Sequence, residues 1–149
     1  VLILGAGGSA RAIGFGLLEA GAHIMLASRT AAKVMELAKT LDCPWHPLDK
    51  IPDLAADCLI NATSVGMAPH PDNSLVPQEC LSRYNVVMDI VYAPQETRLL
   101  REAKEAGCQV VNGLAMLLYQ GVAQFELWTG RQAPVDIMRD SLLASLAAK

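Results

Sequence analysis

The sequence has no concentration of positive charge. Its 12 Lys and Arg are outnumbered by 15 Asp and Glu, giving a net charge of −3, and the basic residues occur only in short helical pairs. Nucleic-acid binding needs a basic face to displace counterions from phosphates, so no such partner is expected. Nor does any apolar run approach the roughly 18 residues that span a bilayer, so no membrane association is expected and no secretory leader is visible. The 4 cysteines, Cys43, Cys58, Cys80 and Cys108, contain no C-x-x-C pair. They read as reduced structural thiols of a cytoplasmic protein, with Cys58 and Cys108 in or beside strands as small buried hydrophobes. His23, His46 and His70 share no spacing, so no histidine is assigned to catalysis and no metal site is expected. Internal repeats and low-complexity segments are absent, and there is no initiator Met.

What is present is 149 residues, 52% of them hydrophobic. That length fits one domain, and that hydrophobic content suits a sheet buried on both faces. The chain opens in mid-strand: Val1-Leu2-Ile3-Leu4 runs into Gly5-Ala6-Gly7-Gly8-Ser9-Ala10. Strand, tight glycine turn and helix start are the parts of a dinucleotide phosphate site. The first Gly permits the turn, the second lets backbone approach a pyrophosphate, and Ala10 lets helix and strand pack closely. The helix N-terminus offers unpaired N–H groups to phosphates. A glycine turn can also serve helix–strand packing alone.

Strand and helix signals then alternate, the rhythm of a parallel sheet. Helices are expected at Ser9–Ala20, ended by Gly21, at Ala31–Leu41 and at Glu96–Ala106, capped by Gly107. Further strands are expected at His23–Ala27, Cys43–His46, Asp57–Asn61, Val86–Ile90 and Gln109–Val111. Gly66 to Pro77, rich in Pro, Asp and Asn, reads as a loop. Two closing helices, Gly113–Trp128 and Pro134–Ala147, break the alternation and are the expected place for exposed apolar surface. The fold class is therefore α/β: a Rossmann-like, doubly wound, mostly parallel sheet with two C-terminal helices, residues 1–149 forming one domain.

The second strand bears on the cofactor's flavour. An NAD site usually ends this strand with Asp or Glu, which bonds the ribose 2′-hydroxyl. Here it ends Ala27-Ser28-Arg29-Thr30, followed by Lys33, with no acid. A carboxylate would repel a 2′-phosphate, whereas Arg29 and Lys33 would attract one, and Arg29 can also lie flat on an adenine. These features favour NADP over NAD; the plainer alternative is two solvated surface charges.

Three more segments sit at carboxyl ends of strands, where ligands bind in open parallel sheets. They are Asn61-Ala62-Thr63-Ser64-Val65-Gly66-Met67, Asp89-Ile90-Val91-Tyr92 and Asn112-Gly113-Leu114-Ala115-Met116-Leu117-Leu118-Tyr119-Gln120. Met116 and Gln120, four apart, share one helix face; core packing and surface exposure are their alternative roles. Tyr92 could likewise be a packed aromatic with a solvated hydroxyl. Asp89 reads as a brace for the loop after its strand.

With the glycine turn and Ser28-Arg29-Thr30, these segments closely resemble the C-terminal NADP-binding domain of shikimate dehydrogenases, over nearly the whole chain. Ser28 stands where the family often has Asn, and Ala115 where Gly is frequent. The resemblance implies NADP-dependent reduction of 3-dehydroshikimate to shikimate, in the route to aromatic amino acids. It implies that Gly5, Ala6, Gly7, Gly8 and Ser9 cradle the pyrophosphate, and that Ser28, Arg29, Thr30 and Lys33 hold the 2′-phosphate. Thr63, Ser64, Ile90, Gly113 and Met116 would lie along the nicotinamide half, and Tyr92 and Gln120 would reach the substrate. In the family the proton-transferring Lys and Asp belong to an N-terminal substrate domain. They are not in this sequence, so the 149 residues are expected to bind NADP without turnover. A dehydrogenase acting on quinate as well, or a non-catalytic NADP-sensing module on the same fold, are the alternatives.

Overall fold

The computed structural model describes residues 1–147; the last two residues of the expected domain lie outside the described residues. The chain divides into two compact units, Val1–Asn112 and a second starting at Gly113.

The first unit is built on a six-stranded sheet. Its elements in chain order are β1 (Leu2–Leu4), α1 (Gly8–Glu19), β2 (Met25–Ser28), α2 (Ala31–Leu41), β3 (Trp45–Pro47), β4 (Cys58–Asn61), β5 (Val86–Asp89), α3 (Arg98–Glu105) and β6 (Gln109–Val111). All five strand pairings are parallel, in the order β3-β2-β1-β4-β5-β6. That order reverses direction between β1 and β4, a doubly wound topology with its switch point at the sheet centre. Register is set by apolar residues on both faces: Leu2 and Leu4 enter one core with Leu59 and Val87, while Ile3 enters the other with Leu26. A strand alternates its side chains, so β1 can feed two cores only if both faces are covered.

Helices α1 and α2 cover one face, through Ala10, Val34, Leu37, Ala38 and Leu41. The other is covered by α3, through Leu99, Leu100 and Ala103, and by two 3₁₀ turns, Leu48–Asp53 and Gln78–Arg83. Sequence periodicity does not announce those turns, because six residues hold too few repeats to show a period. Helices α1 and α2 approach so closely that a Cβ on Gly14 would fall 2.5 Å from Leu41 Cδ1. Gly21 and Gly107, at φ +79° and +87°, follow α1 and α3 as expected of C-terminal glycines. Strand β3 is shifted two residues from the expected start, and α3 begins at Arg98, with Thr97 as its cap: Thr97 Oγ1 accepts from Leu100 N at 3.3 Å.

The second unit is a pair of helices, α4 (Gly113–Thr129) and α5 (Val135–Ala147). Gly130, at φ +66°, ends α4, and Glu126 Oε1 accepts from Ala133 N at 3.0 Å to fix the turn. Leu127, Trp128 and Ile137 are 81%, 76% and 67% exposed, which is the exposed apolar surface expected of these helices.

Replacing Leu59, fully buried at the centre of one core, by Ala should lower unfolding free energy by about 2–5 kcal/mol in urea titration. A loss below about 1 kcal/mol would contradict a close-packed core at this strand.

Candidate functional site: a cleft at the switch point

At the carboxyl ends of β1, β2 and β4 a cleft of about 360 Å³ opens. One side is the glycine turn, Gly5 to Gly7. Gly5 holds φ +115°, and a Cβ there would lie 3.0 Å from Ala62 O and from Thr63 Cγ2. Both conformation and space therefore require glycine. Its N–H donates to Ala27 O at 2.8 Å, tying the turn to β2. Gly7 caps α1 with no side-chain hydrogen bond, and a Cβ on Gly7 or Gly8 would meet nothing within 4 Å. The first turn of α1 thus has no side-chain cap on its N–H groups and no atoms crowding Gly7 or Gly8, which suits an anion site. Ala10 is fully buried beneath it.

The second side is Ser28, Arg29, Thr30 and Lys33. Ser28 Oγ accepts from Thr30 N at 3.3 Å, which shapes the bend. Among the described residues Arg29 and Lys33 make no ion pair and no side-chain hydrogen bond. Two uncompensated cations beside uncapped helix amides define a cleft that favours an extended, multiply charged anion.

The third side is Ala62, Thr63, Ser64 and Val65. This wall is held from behind. Asn61 Oδ1 accepts from Thr63 N at 3.1 Å and Thr63 Oγ1 at 2.7 Å, and Thr63 Oγ1 accepts from Val65 N at 3.1 Å. Asn61 Nδ2 donates to Asp89 Oδ1 at 2.9 Å and to Val65 O at 3.1 Å. Asp89 is fully buried and also accepts from Val91 N at 3.0 Å and Thr97 Oγ1 at 2.7 Å. It braces the loop after β5, as read from its position. Burial raises its carboxyl above the ordinary value, and the three donors pull it part of the way back.

Of the residues singled out in the sequence, nine line this cleft: Gly5, Ala6, Gly7, Ser28, Arg29, Thr30, Lys33, Thr63 and Ser64. Gly8 and Ser9 open α1 directly after the turn and are not lining residues. Ile90 and Tyr92 follow β5, Ile90 half-buried and Tyr92 exposed; neither is a lining residue. Gly113, Met116 and Gln120 belong to the second unit, on α4, with Met116 half-buried and Gln120 exposed. Leu48 and Leu75 also line the cleft and were not singled out. Leu48 directly follows β3 and so had a positional signal, whereas Leu75 sits in a loop and had none. Among the described residues no cluster of three His, Cys, Asp or Glu could hold a metal, and no helix is long and apolar enough to cross a membrane.

Fold and cleft together define a Rossmann-like, doubly wound α/β unit with a cleft at its switch point. A family model described as the shikimate 5′-dehydrogenase C-terminal domain matches residues 113–143. A curated relative named shikimate dehydrogenase (NADP(+)) from Natronomonas pharaonis is 46% identical over 148 residues, covering 97% of this chain and 55% of its own. A shikimate 5-dehydrogenase from Thermus thermophilus, crystallised with NADP(H) and shikimate, is 39% identical with a TM-score of 0.86, over 97% of this chain and 54% of its own. Quinate dehydrogenase from Corynebacterium glutamicum, in complex with NAD, is 31% identical with a TM-score of 0.89, over 96% and 54%. The chain is similar to shikimate dehydrogenases over nearly all of its own length, and it spans about half the length of the curated relatives it matches.

Two outcomes check the site's construction. Gly5→Ala should cost about 1–3 kcal/mol of stability, read by thermal or urea unfolding, since the new Cβ meets backbone at a left-handed φ. Asp89, with a raised pKa, contributes stability that is complete below the ordinary carboxylate value of 3.8 and is lost as pH climbs through its own higher value. The stability difference between the native chain and Asp89→Asn should therefore shrink as pH rises from below 3.8; growth of that difference with pH would reverse the assignment.

Proposed function

We propose that this chain is the cofactor-binding half of an NADP-dependent shikimate dehydrogenase, which reduces 3-dehydroshikimate to shikimate. One observation carries the NADP assignment: Arg29 and Lys33, unpaired among the described residues, line the same cleft as the glycine turn that leads into α1. The open space over Gly7 fits a phosphate against the backbone, and among the described residues no carboxylate lines the cleft to repel a second one. The names of the relatives, with NADP(+) among them, support the same reading.

In this reading Gly5, Ala6, Gly7, Gly8 and Ser9 hold the pyrophosphate, and Ser28, Arg29, Thr30 and Lys33 hold the adenosine 2′-phosphate. Thr63, Ser64, Ile90, Gly113 and Met116 orient the nicotinamide half, while Tyr92 and Gln120 meet substrate oxygens. Bound NADPH would supply the hydride. The alkoxide so formed needs a proton donor within hydrogen-bond reach. We assign that donor to a substrate domain outside this sequence, where the family's Lys and Asp would stand, and expect the protein to work in the cytoplasm.

Arg29→Ala should raise the NADP dissociation constant roughly tenfold or more, since a hydrogen bond to a charged group contributes about 1.5–3 kcal/mol, while NAD binding changes little. Calorimetry with both cofactors decides it, and equal losses would sink the assignment. Assayed alone with shikimate and NADP, the 149 residues should bind cofactor without turnover; clear turnover would refute the division of labour. A broader substrate range is favoured by the likeness to a quinate dehydrogenase. Comparing quinate and shikimate rates in a protein carrying both domains separates the two.

A further inference from the structure

We propose that Asp89 is a positioning residue for the cleft: through the side chains of Asn61 and Thr63 it holds the wall of residues 62–65 against the glycine turn. The inference rests on the reading of the cleft as a nucleotide site, and assigns a task to a group that is fully buried and would not touch the nucleotide.

The chemistry of donors and acceptors makes the chain of contacts directional. A carboxylate only accepts, and Asp89 Oδ1 faces Asn61 at 2.9 Å, so Asn61 must turn its amide NH₂ toward Asp89. The carbonyl of Val65, at 3.1 Å, asks for the same orientation. Asn61 Oδ1 is then left facing Thr63, whose N–H and hydroxyl both donate to it. A flipped amide would set NH₂ against the Thr63 N–H and oxygen against two acceptors, so the orientation is fixed by these three contacts together.

Thr63 passes the constraint on. Its single hydroxyl proton is committed to Asn61 Oδ1 at 2.7 Å, and the same oxygen accepts from Val65 N at 3.1 Å. Thr63 therefore cannot donate that proton to a phosphate. Its methyl instead stands at the glycine turn, 3.0 Å from where a Gly5 Cβ would be. Behind Asp89 the other oxygen accepts from Thr97 Oγ1, the cap of α3, at 2.7 Å. A Cβ on Gly66 would sit 3.5 Å from Thr97 Cβ, so the loop closes on the same cap. One carboxylate thus joins the exits of β4 and β5 and the start of α3 to the wall of the cleft.

Amide hydrogen exchange on the ligand-free chain tests this without any activity. The amides of Thr63 and Val65 do not touch Asp89, yet in Asp89→Ala both should exchange at least about tenfold faster, while Leu26 in β2 changes by less than about threefold. Asp89→Asn, which keeps an acceptor for Asn61, should restore most of the protection. Unchanged Thr63 and Val65, or equal acceleration at Leu26, would overturn the proposal, the latter by showing general destabilisation. Thr63→Val, milder than a charge removal, covers the case where Asp89→Ala fails to fold. It should weaken NADP binding about tenfold, whereas Thr63→Ser should lose about threefold or less, and the reverse order would overturn the role of the hydroxyl. Combining Thr63→Val with Asp89→Ala should weaken NADP binding no more than the worse single change; additive losses would show separate roles. If the native chain binds no NADP, the nucleotide reading fails, and the exchange result still decides whether Asp89 holds the wall.

Discussion

Everything functional in the first unit depends on β1 being paired on both sides, with β2 on one and β4 on the other. The chain leaves β1 toward α1 and β2, and only later crosses the sheet to reach β4. Connections on the two sides therefore run in opposite directions from one line, and a gap opens above the strand ends between them. No residue needs to be carved out to make the cleft. Topology makes it, and the glycine turn keeps backbone from filling it.

Two kinds of force then divide the work. Apolar burial on both faces of the sheet supplies cohesion, with Leu2, Ile3 and Leu4 serving alternate cores from three consecutive positions. Such contacts have no direction, so they fix the sheet without aiming any one side chain at the strand ends. Aim comes from the buried polar set of Asn61, Asp89 and Thr97, where Asn61 Nδ2 and Thr97 Oγ1 each find a carboxylate oxygen within hydrogen-bond distance. The cleft wall hangs on that set, while Arg29 and Lys33 on the opposite side are unpaired among the described residues. Polar order is concentrated on one wall and free charge on the other.

Much of this was legible in the residues. The alternation of elements, the helix Ala31–Leu41 and the strand Gln109–Val111 stand where periodicity put them. So do Gly5, Gly7, Arg29 and Lys33, because a short motif between a strand and a helix carries its own geometry. The 3₁₀ turn after β3 was not legible, nor were Leu48 and Leu75 as lining residues, since an apolar residue on a loop looks the same whether it faces core or cleft. Asp89 could be read as a brace from its place after a strand. Its partner Asn61 could not, lying 28 residues away, because pairing across the sheet follows register rather than spacing.

Fold class, the glycine turn and the sign of charge beside it follow from the residues alone, because each is a local property of a few chain neighbours. Which of those residues share a cleft, that Asn61 turns its oxygen to Thr63, and that the Thr63 hydroxyl has no proton left to give are settled only in the folded chain. Those facts arise when strands distant in sequence lie side by side, where a buried carboxylate must find its donors or suffer the penalty of lacking them.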